Sequence, residues 1–356
     1  LMKGFYSKSI QKTKQIKVPL KKINIESWLI NKKHRVCSVL FITGLTSLAM
    51  EVAWVRGFTP VLKTTIYSFA AILATYLFST LVGSQLYRRH LNRNKNISTI
   101  KIIGACFIFS FFPIFLGDPG INSTVPILLA SILPLCMSLG YLTPKLIDQV
   151  SQGEPNEAGR AYAINIFGGI LGPLLAGYFL IPKLGVKSTL VLLSIPYGIL
   201  FFKYTHSTEV SRVFKWIIGM TGTFGTIISV FFITGFEIPS TASKDSIILR
   251  DSTATVVASG EGMLKKLYVN GISVTGLTPI TKMMAHLPLS IRERKPESAL
   301  IIALGMGTSL RSAASWGINV KCVELVPSVL EAFPYFYKDA SLILKKPNVK
   351  VIIDDG

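Results

Sequence analysis

Charge is scarce in this chain, and acid is the scarcer sign. Charged residues make up 16% of the 356 and apolar residues 50%, whereas soluble globular proteins carry about 25% charged residues. Mean hydropathy is +0.50. Such a composition excludes intrinsic disorder and argues against a chain that is soluble throughout. Cysteine is equally thin. The four, Cys37, Cys106, Cys136 and Cys322, form no CxxC pair, so neither a zinc site nor a dithiol redox motif is supported. The first three fall in or beside apolar segments and read as small buried hydrophobes. A complete GxGxxG is also missing, because Leu310 stands where the third glycine would follow Gly305 and Gly307. That removes the usual dinucleotide fingerprint.

What charge there is lies unevenly. The chain has 38 basic and 18 acidic residues, a net of +20. From Gly235 onward 14 Lys/Arg face 11 Asp/Glu, leaving 24 basic and 7 acidic residues before it. Residues 1–35 alone hold 10 Lys/Arg against Glu26. Beside an apolar segment, such a tail predicts a cytoplasmic anchor near anionic lipid. Nucleic-acid binding is the other meaning of a basic tail. It is not expected here, because a membrane span follows directly.

Apolar runs recur at Val36–Trp54, Ile66–Tyr87, Ile100–Leu116, Thr124–Ile147, Ala161–Ile181, Ser188–Phe202 and Trp216–Phe236. Most approach the roughly 20 residues that cross a bilayer as a helix. The tail and the cluster Arg88, Arg89, Arg93, Lys95 and Lys101 are basic, and the loop Gly117–Ser123 has no Lys or Arg. The N-terminus is therefore expected in the cytoplasm of an integral, multi-pass protein of the cell membrane. Seven spans would leave the C-terminal part outside, and six or eight would return it. Ser188–Phe202, short and interrupted by Pro196, is the weakest of the seven.

Polar groups inside the spans invite two readings. Glu51 and Arg56 lie five residues apart, about 140° around a helix, so they do not share a face. An intramembrane charge is a functional candidate. The blander expectation is that Arg56 snorkels to the interface and Glu51 pairs with a neighbouring span. Gly168 and Gly172 form a GxxxG close to Asn165, which predicts close helix packing rather than a substrate path.

After Phe236 the texture changes. Residues 238–245 read as a linker. Strand-like runs follow at Ile247–Leu249, Thr255–Ser259, Lys266–Val269 and Ile272–Val274, with Asn270-Gly271 predicting a tight hairpin. A helix is expected over Thr278–Arg294. Then come a strand at Ser298–Ala303, a glycine turn, a helix at Ser309–Trp316, a strand at Val320–Glu324, a helix at Pro327–Phe336 and a strand at Val349–Ile353. This β-α-β-α-β order predicts the first half of a doubly wound sheet. Gly305 and Gly307 would let the backbone approach a ligand. Glu324, at the tip of the next strand, would accept hydrogen bonds from ribose hydroxyls, and Asp355 would reach an adenine edge. The plainer meaning is a βα turn that needs glycine for its geometry. A nucleoside ligand without a pyrophosphate suits the turn better than a dinucleotide.

These pieces resemble the spermidine synthase family. They are Ala299-Leu-Ile-Ile-Ala-Leu-Gly-Met-Gly-Thr308, Val323-Glu-Leu325, Val351-Ile-Ile-Asp-Asp-Gly356, Leu267-Tyr-Val-Asn-Gly271 and Met284-Ala-His-Leu-Pro-Leu289. Glu51-Val-Ala-Trp-Val-Arg56, Gly140-Tyr-Leu-Thr-Pro144 and Ala161-Tyr-Ala-Ile-Asn-Ile-Phe-Gly-Gly169 resemble the membrane-fused type, so the likeness covers roughly residues 36–356.

The resemblance implies four regions. They are a basic tail (1–35), a transmembrane helical domain of six to eight spans (36–236), a linker with a small β-hairpin domain (237–277), and a partial Rossmann-like, methyltransferase-like α/β domain (278–356). It implies no prosthetic group but an adenosyl sulfonium co-substrate, S-adenosylmethionine or its decarboxylated form. Gly305, Gly307, Glu324 and Asp355 would bind it. A small-molecule amine would be the acceptor of an aminopropyl or related alkyl group, and self-association is left open. A degenerate ligand-binding domain regulating a transporter-like membrane part is the alternative.

The departures bear on reaction. Met306 stands where the family has an aspartate, and Gly276-Leu-Thr-Pro-Ile-Thr281 lacks the family's acidic pair, Tyr and His. The family's catalytic aspartate would fall beyond Gly356. With Leu1 at its start and its last residues on a third strand, the chain is expected to be a fragment whose final strands are missing.

Overall fold

The computed structural model describes residues 25–63, 65–118, 121, 123–205, 211–231, 235–239, 242–243, 245–294 and 296–356. Residues 1–24 of the basic tail therefore lie outside the described residues.

The first half is helical: α1 (Ile25–Leu62), α2 (Thr65–Asn92), α3 (Thr99–Phe109), α4 (Phe112–Leu116), α5 (Val125–Ser151), α6 (Pro155–Leu175), a π-helical turn (Ala176–Leu180), α7 (Ile181–Thr205) and α8 (Arg212–Phe231). Six stretches, Lys33–Leu62, Phe69–Asn92, Thr99–Leu116, Val125–Ser151, Pro155–Thr205 and Arg212–Phe231, are long and apolar enough to cross a membrane. Only helices satisfy every backbone group within such a segment. Hydroxyls inside them bond back onto their own helix, as Thr46 does to the Ile42 carbonyl at 2.8 Å and Thr189 to that of Gly185 at 2.7 Å. The Thr46 and Tyr197 hydroxyls also share a hydrogen bond of 2.7 Å, tying α1 to α7 in the core.

The stretch Pro155–Thr205 has 51 residues, too long for one crossing at about 1.5 Å per residue. It breaks at Gly185, whose φ of 78° and ψ of 170° are not helical. Glu157, at its start, pairs with Lys33 at the head of α1. Gly185 lies beside Arg250 and Glu237, and further along, Tyr197 meets Thr46 in the middle of α1. The stretch thus goes up through the bundle and comes back. Ser188–Phe202, the weakest run in sequence, is helical throughout within α7 despite Pro196.

Contacts along the helices give their directions. Gly168 and Gly172 of α6 meet Phe41 and Leu45 of α1, so these two run parallel. The Tyr87–Asp148 bond at 2.7 Å places the ends of α2 and α5 together, and Lys145 reaches Asn96 at 2.7 Å beside the start of α3. Gly104 packs on Phe201 and Gly198 on Phe107, so α7 opposes α3. Gly222 and Gly225 follow Phe107 and Phe111, so α8 runs with α3. The head of α1 and the C-terminal sheets consequently stand at opposite ends of the bundle.

The second half holds two sheets. β1 (Ile247–Arg250), β2 (Thr255–Ser259), β3 (Lys266–Val269) and β4 (Ile272–Gly276) form an antiparallel sheet in sequence order. Val269 pairs with Ile272 across Asn270 (φ 49°) and Gly271 (φ 77°), the two-residue hairpin that Asn-Gly signals. α9 (Pro279–Ser290) leads to β5 (Ser298–Ile302), α10 (Thr308–Ala314), β6 (Asn319–Glu324), α11 (Pro327–Phe336), α12 (Ala340–Leu344) and β7 (Val349–Ile353). β5, β6 and β7 are parallel in that order.

Alternate residues of the parallel strands, such as Ile301, Val320, Cys322 and Val351, face α10, α11 and α12. Val256, Ala258 and Leu267 of the small sheet join the same core. On the other face Leu300 and Ile302 are about two-thirds exposed, at 64% and 66%. The helix α12 had no counterpart in the sequence reading; five residues carry too little periodicity to register.

Candidate functional site

All four residues singled out in sequence lie at one edge of the parallel sheet. Gly305 and Gly307 form the turn after β5, Glu324 ends β6, and Asp355 follows β7. Three residues of the turn adopt left-handed backbone: Ala303 (φ 72°), Gly305 (φ 57°) and Gly307 (φ 78°). An alanine held there costs about 1–2 kcal/mol, so the turn is strained as well as tight.

Glu324 explains how the turn is held. It is 6% exposed. One carboxylate oxygen accepts the Leu304 amide at 2.7 Å and the other the Val326 amide at 3.0 Å. The acid therefore clamps the glycine turn to its own strand tip. Just behind it, burial pushes the Cys322 thiol up to about 12, with the Glu324 charge adding to the effect. The two glycines differ. A Cβ on Gly307 would collide with the Phe333 ring, whereas one on Gly305 would meet only Thr275 at 3.7 Å. Gly307 is there for packing, and Gly305 borders open space. Met306 is 2% exposed and belongs to the core. Asp355 is exposed, and its amide turns to Asp354 at 2.9 Å.

The first turn of α10 is braced from the side. Arg311 pairs with Asp339 at 2.6 Å and lies 4.1 Å over the Tyr337 ring, while Thr308 and Tyr337 share a hydroxyl bond of 2.8 Å. The guanidinium of Arg311 holds the Asp339 carboxyl below the usual carboxylate range. Gly276–Thr281 forms the end of β4 and the start of α9, and the Thr281 carbonyl accepts Ser309 at 3.1 Å.

A second polar group joins the two halves, and sequence did not disclose it. Asp251, in the β1–β2 turn, accepts the amides of Thr253 and Ala254 at 2.7 Å each and that of Ser328 at 2.9 Å. Burial raises its carboxyl, but these amide bonds outweigh burial and leave it below its ordinary value. Its carbonyl receives Arg56 at 3.3 and 3.4 Å. Arg56 therefore reaches from α1 to the small sheet. Beside it Glu237, 2% exposed, pairs with Arg250 at 3.4 Å and accepts Thr255 at 2.8 Å. The Asp-Ser-Thr sequence signals an Asx turn. Its long-range partners have no sequence signal.

Glu51 does not pair with a neighbouring span. It is 8% exposed, and no group among the described residues donates a hydrogen bond to it. It lines a cavity of about 430 Å³ between α1, α2, the π-helical turn and the β1–β2 turn. Asn165, by contrast, donates to the Leu40 carbonyl at 2.7 Å, and the GxxxG packs against α1 as expected.

The chain matches no family model and no curated protein sequence.

Proposed function

We propose that the chain is a membrane-anchored, spermidine-synthase-like protein whose Rossmann-like C-terminal unit binds an adenosyl sulfonium. The observation that carries this reading is the Leu304–Glu324 contact, which sets an acid directly against a strained glycine turn at the edge of a parallel sheet. Each Glu324 oxygen spends one lone pair on an amide and keeps another for a ribose hydroxyl. Gly305 leaves room for the ligand, and Asp355 stands free at the next strand end. A sulfonium makes its attached carbon electrophilic, so positioning is most of what aminopropyl or related alkyl transfer asks of the protein.

A second reading, a ligand-binding unit that regulates the membrane part, draws on different observations. No carboxylate lies in Gly276–Thr281 to hold a cationic amine, and Met306 is buried. Asp251 ties the parallel sheet to α1 through Ser328 and Arg56, a route by which occupancy would reach the helices. Orientation separates the two readings. Lys33, Arg35, Arg88, Arg89, Arg93 and Lys95 cluster at the head end of the bundle, against Lys63, Lys183 and Lys187 at the sheet end. We place the head end in the cytoplasm on that bias. The sheets then face away from the compartment where adenosyl sulfonium compounds are made, so the adenosyl ligand requires the opposite orientation, and this one fits the regulatory reading with a different ligand.

The test is calorimetric titration of the purified full chain with S-adenosylmethionine and with its decarboxylated form. Saturable binding, weakened at least tenfold in Gly305→Val, is expected. A folded wild-type chain that binds neither compound would overturn the adenosyl reading.

A further inference from the structure

The cavity beside Glu51 has a built character. Its walls are apolar: Leu48, Val52 and Val55 from α1, Phe69 from α2, Pro173 from α6 and Ile181 from α7. Ser252, Thr253 and Asn270 close it at the sheet end. The π-helical turn Ala176–Leu180 borders it through Gly177, and π turns inside α-helices occur frequently at functional sites. A volume of about 430 Å³ falls within the roughly 300–1,000 Å³ of small-molecule sites.

The charges at the cavity are not balanced within it. Arg56 also lines the cavity, but the acids acting on it are Glu237 and Asp251, not Glu51. Glu51 lies about 7.5 Å deeper along α1, by the helical rise over five residues. Among the described residues it has no hydrogen-bond donor and no ion-pair partner. A buried carboxylate in apolar surroundings is costly unless something pairs with it. The complement that the cavity lacks is a single positive charge on an apolar body.

We propose that this cavity is a binding site for a lipophilic organic cation, with Glu51 as its counter-ion. The apolar walls take the body of the ligand. The charged Arg56 at the sheet end rejects a second cationic group, so a monocation fits and a polycation does not. The site is independent of the glycine turn. It lies between the membrane helices and the β1–β2 turn and uses none of the residues of the glycine turn.

The experiment uses the full chain in nanodiscs of zwitterionic lipid, with radiolabelled tetraphenylphosphonium as the probe. Wild type is expected to show saturable binding above that of empty nanodiscs, competed by dodecylamine and not by dodecanoate. Glu51→Gln, which keeps shape and removes the charge, should lower affinity at least tenfold. Gly177→Leu gives an independent check. Gly177 lines the cavity and a Cβ there meets nothing within 4 Å, so a leucine is expected to fill part of the space. It should abolish binding while the protein elutes and melts like wild type. Equal binding by wild type and Glu51→Gln, binding no greater than that of empty nanodiscs, or competition by dodecanoate alone would each overturn the proposal. The last would mark the cavity as an anion site at Arg56.

Discussion

Asp251 accepts the backbone N–H of Ser328 through Oδ2 at 2.9 Å, while its carbonyl takes Arg56 of α1. One residue thereby fastens the β1–β2 turn, the first turn of α11 and the end of a membrane helix. Its carboxylate is the element on which pH acts. Its pKa in the folded chain lies below the ordinary Asp value, near 3.9. A depressed carboxylate contributes stability that is fully present above the unfolded value and lost as pH falls through the folded one. The melting temperature of the purified chain should therefore decline as pH drops below about 4. Asp251→Asn should show a smaller decline and, at neutral pH, a loss of about 1–3 kcal/mol from amides left poorly paired. Parallel pH profiles for the two proteins would refute this role.

Gly305 and Gly307 should separate cleanly under mutation. Gly307→Ala incurs left-handed strain of about 1–2 kcal/mol and drives a methyl into the Phe333 ring, an overpacking cost of about 1–3 kcal/mol. Gly305→Ala incurs the strain alone, since its neighbourhood is open. Thermal melts should show Gly307→Ala as the more damaging of the two. Equal melting temperatures would mean that the Phe333 contact does not hold the turn.

The contrast also shows what sequence could and could not disclose. The order β5-α10-β6-α11-β7 was legible because each strand is a short apolar run and each turn carries Gly or Pro. The hairpin was legible because Asn270 and Gly271 both take positive φ. That Glu324 sits at a strand tip was readable; that both its oxygens hold backbone amides was not, because that depends on how the turn folds back. The roles of Gly305 and Gly307 looked alike in sequence and differ only because Phe333 arrives from α11. Helix directions were not legible either, because they follow from contacts between distant glycines and their neighbours.

The membrane half makes its own prediction at those glycines. A Cβ on Gly172 would strike the Leu45 carbonyl and one on Gly168 that of Phe41, so Gly172→Ala or Gly168→Ala must push α6 off α1. Each should lower the thermal midpoint in detergent by an amount corresponding to about 1–3 kcal/mol. Gly159→Ala is the control on the same helix, since a Cβ there meets nothing within 4 Å. It should be neutral or slightly stabilising, because alanine favours a helix by about 1 kcal/mol over glycine. A Gly172→Ala protein as stable as Gly159→Ala would show that α1 and α6 do not pack through the GxxxG.

The sidedness of the sheets decides most about function, and two exposed positions report on it. Arg88 lies at the end of α2 that meets Asp148, the end shared with Lys33 and Glu157. Glu261 lies between β2 and β3, among the sheets. Both are exposed. In a background where Cys37, Cys106, Cys136 and Cys322 are replaced, Arg88→Cys and Glu261→Cys can be labelled with an impermeant maleimide on intact cells and again after lysis. If each of the seven helical traverses of the bundle crosses the membrane, only one of the two reacts before lysis. The basic cluster at the Arg88 end predicts that it is Glu261→Cys. That outcome would leave the adenosyl transferase reading without its ligand and favour the regulatory one. Arg88→Cys reacting first would keep the seven passes, invert the orientation and bring the glycine turn to the cytoplasm, where the transferase reading stands. Equal behaviour of the two cysteines would mean an even number of passes, and the reversal of the chain at Gly185 would be wrong.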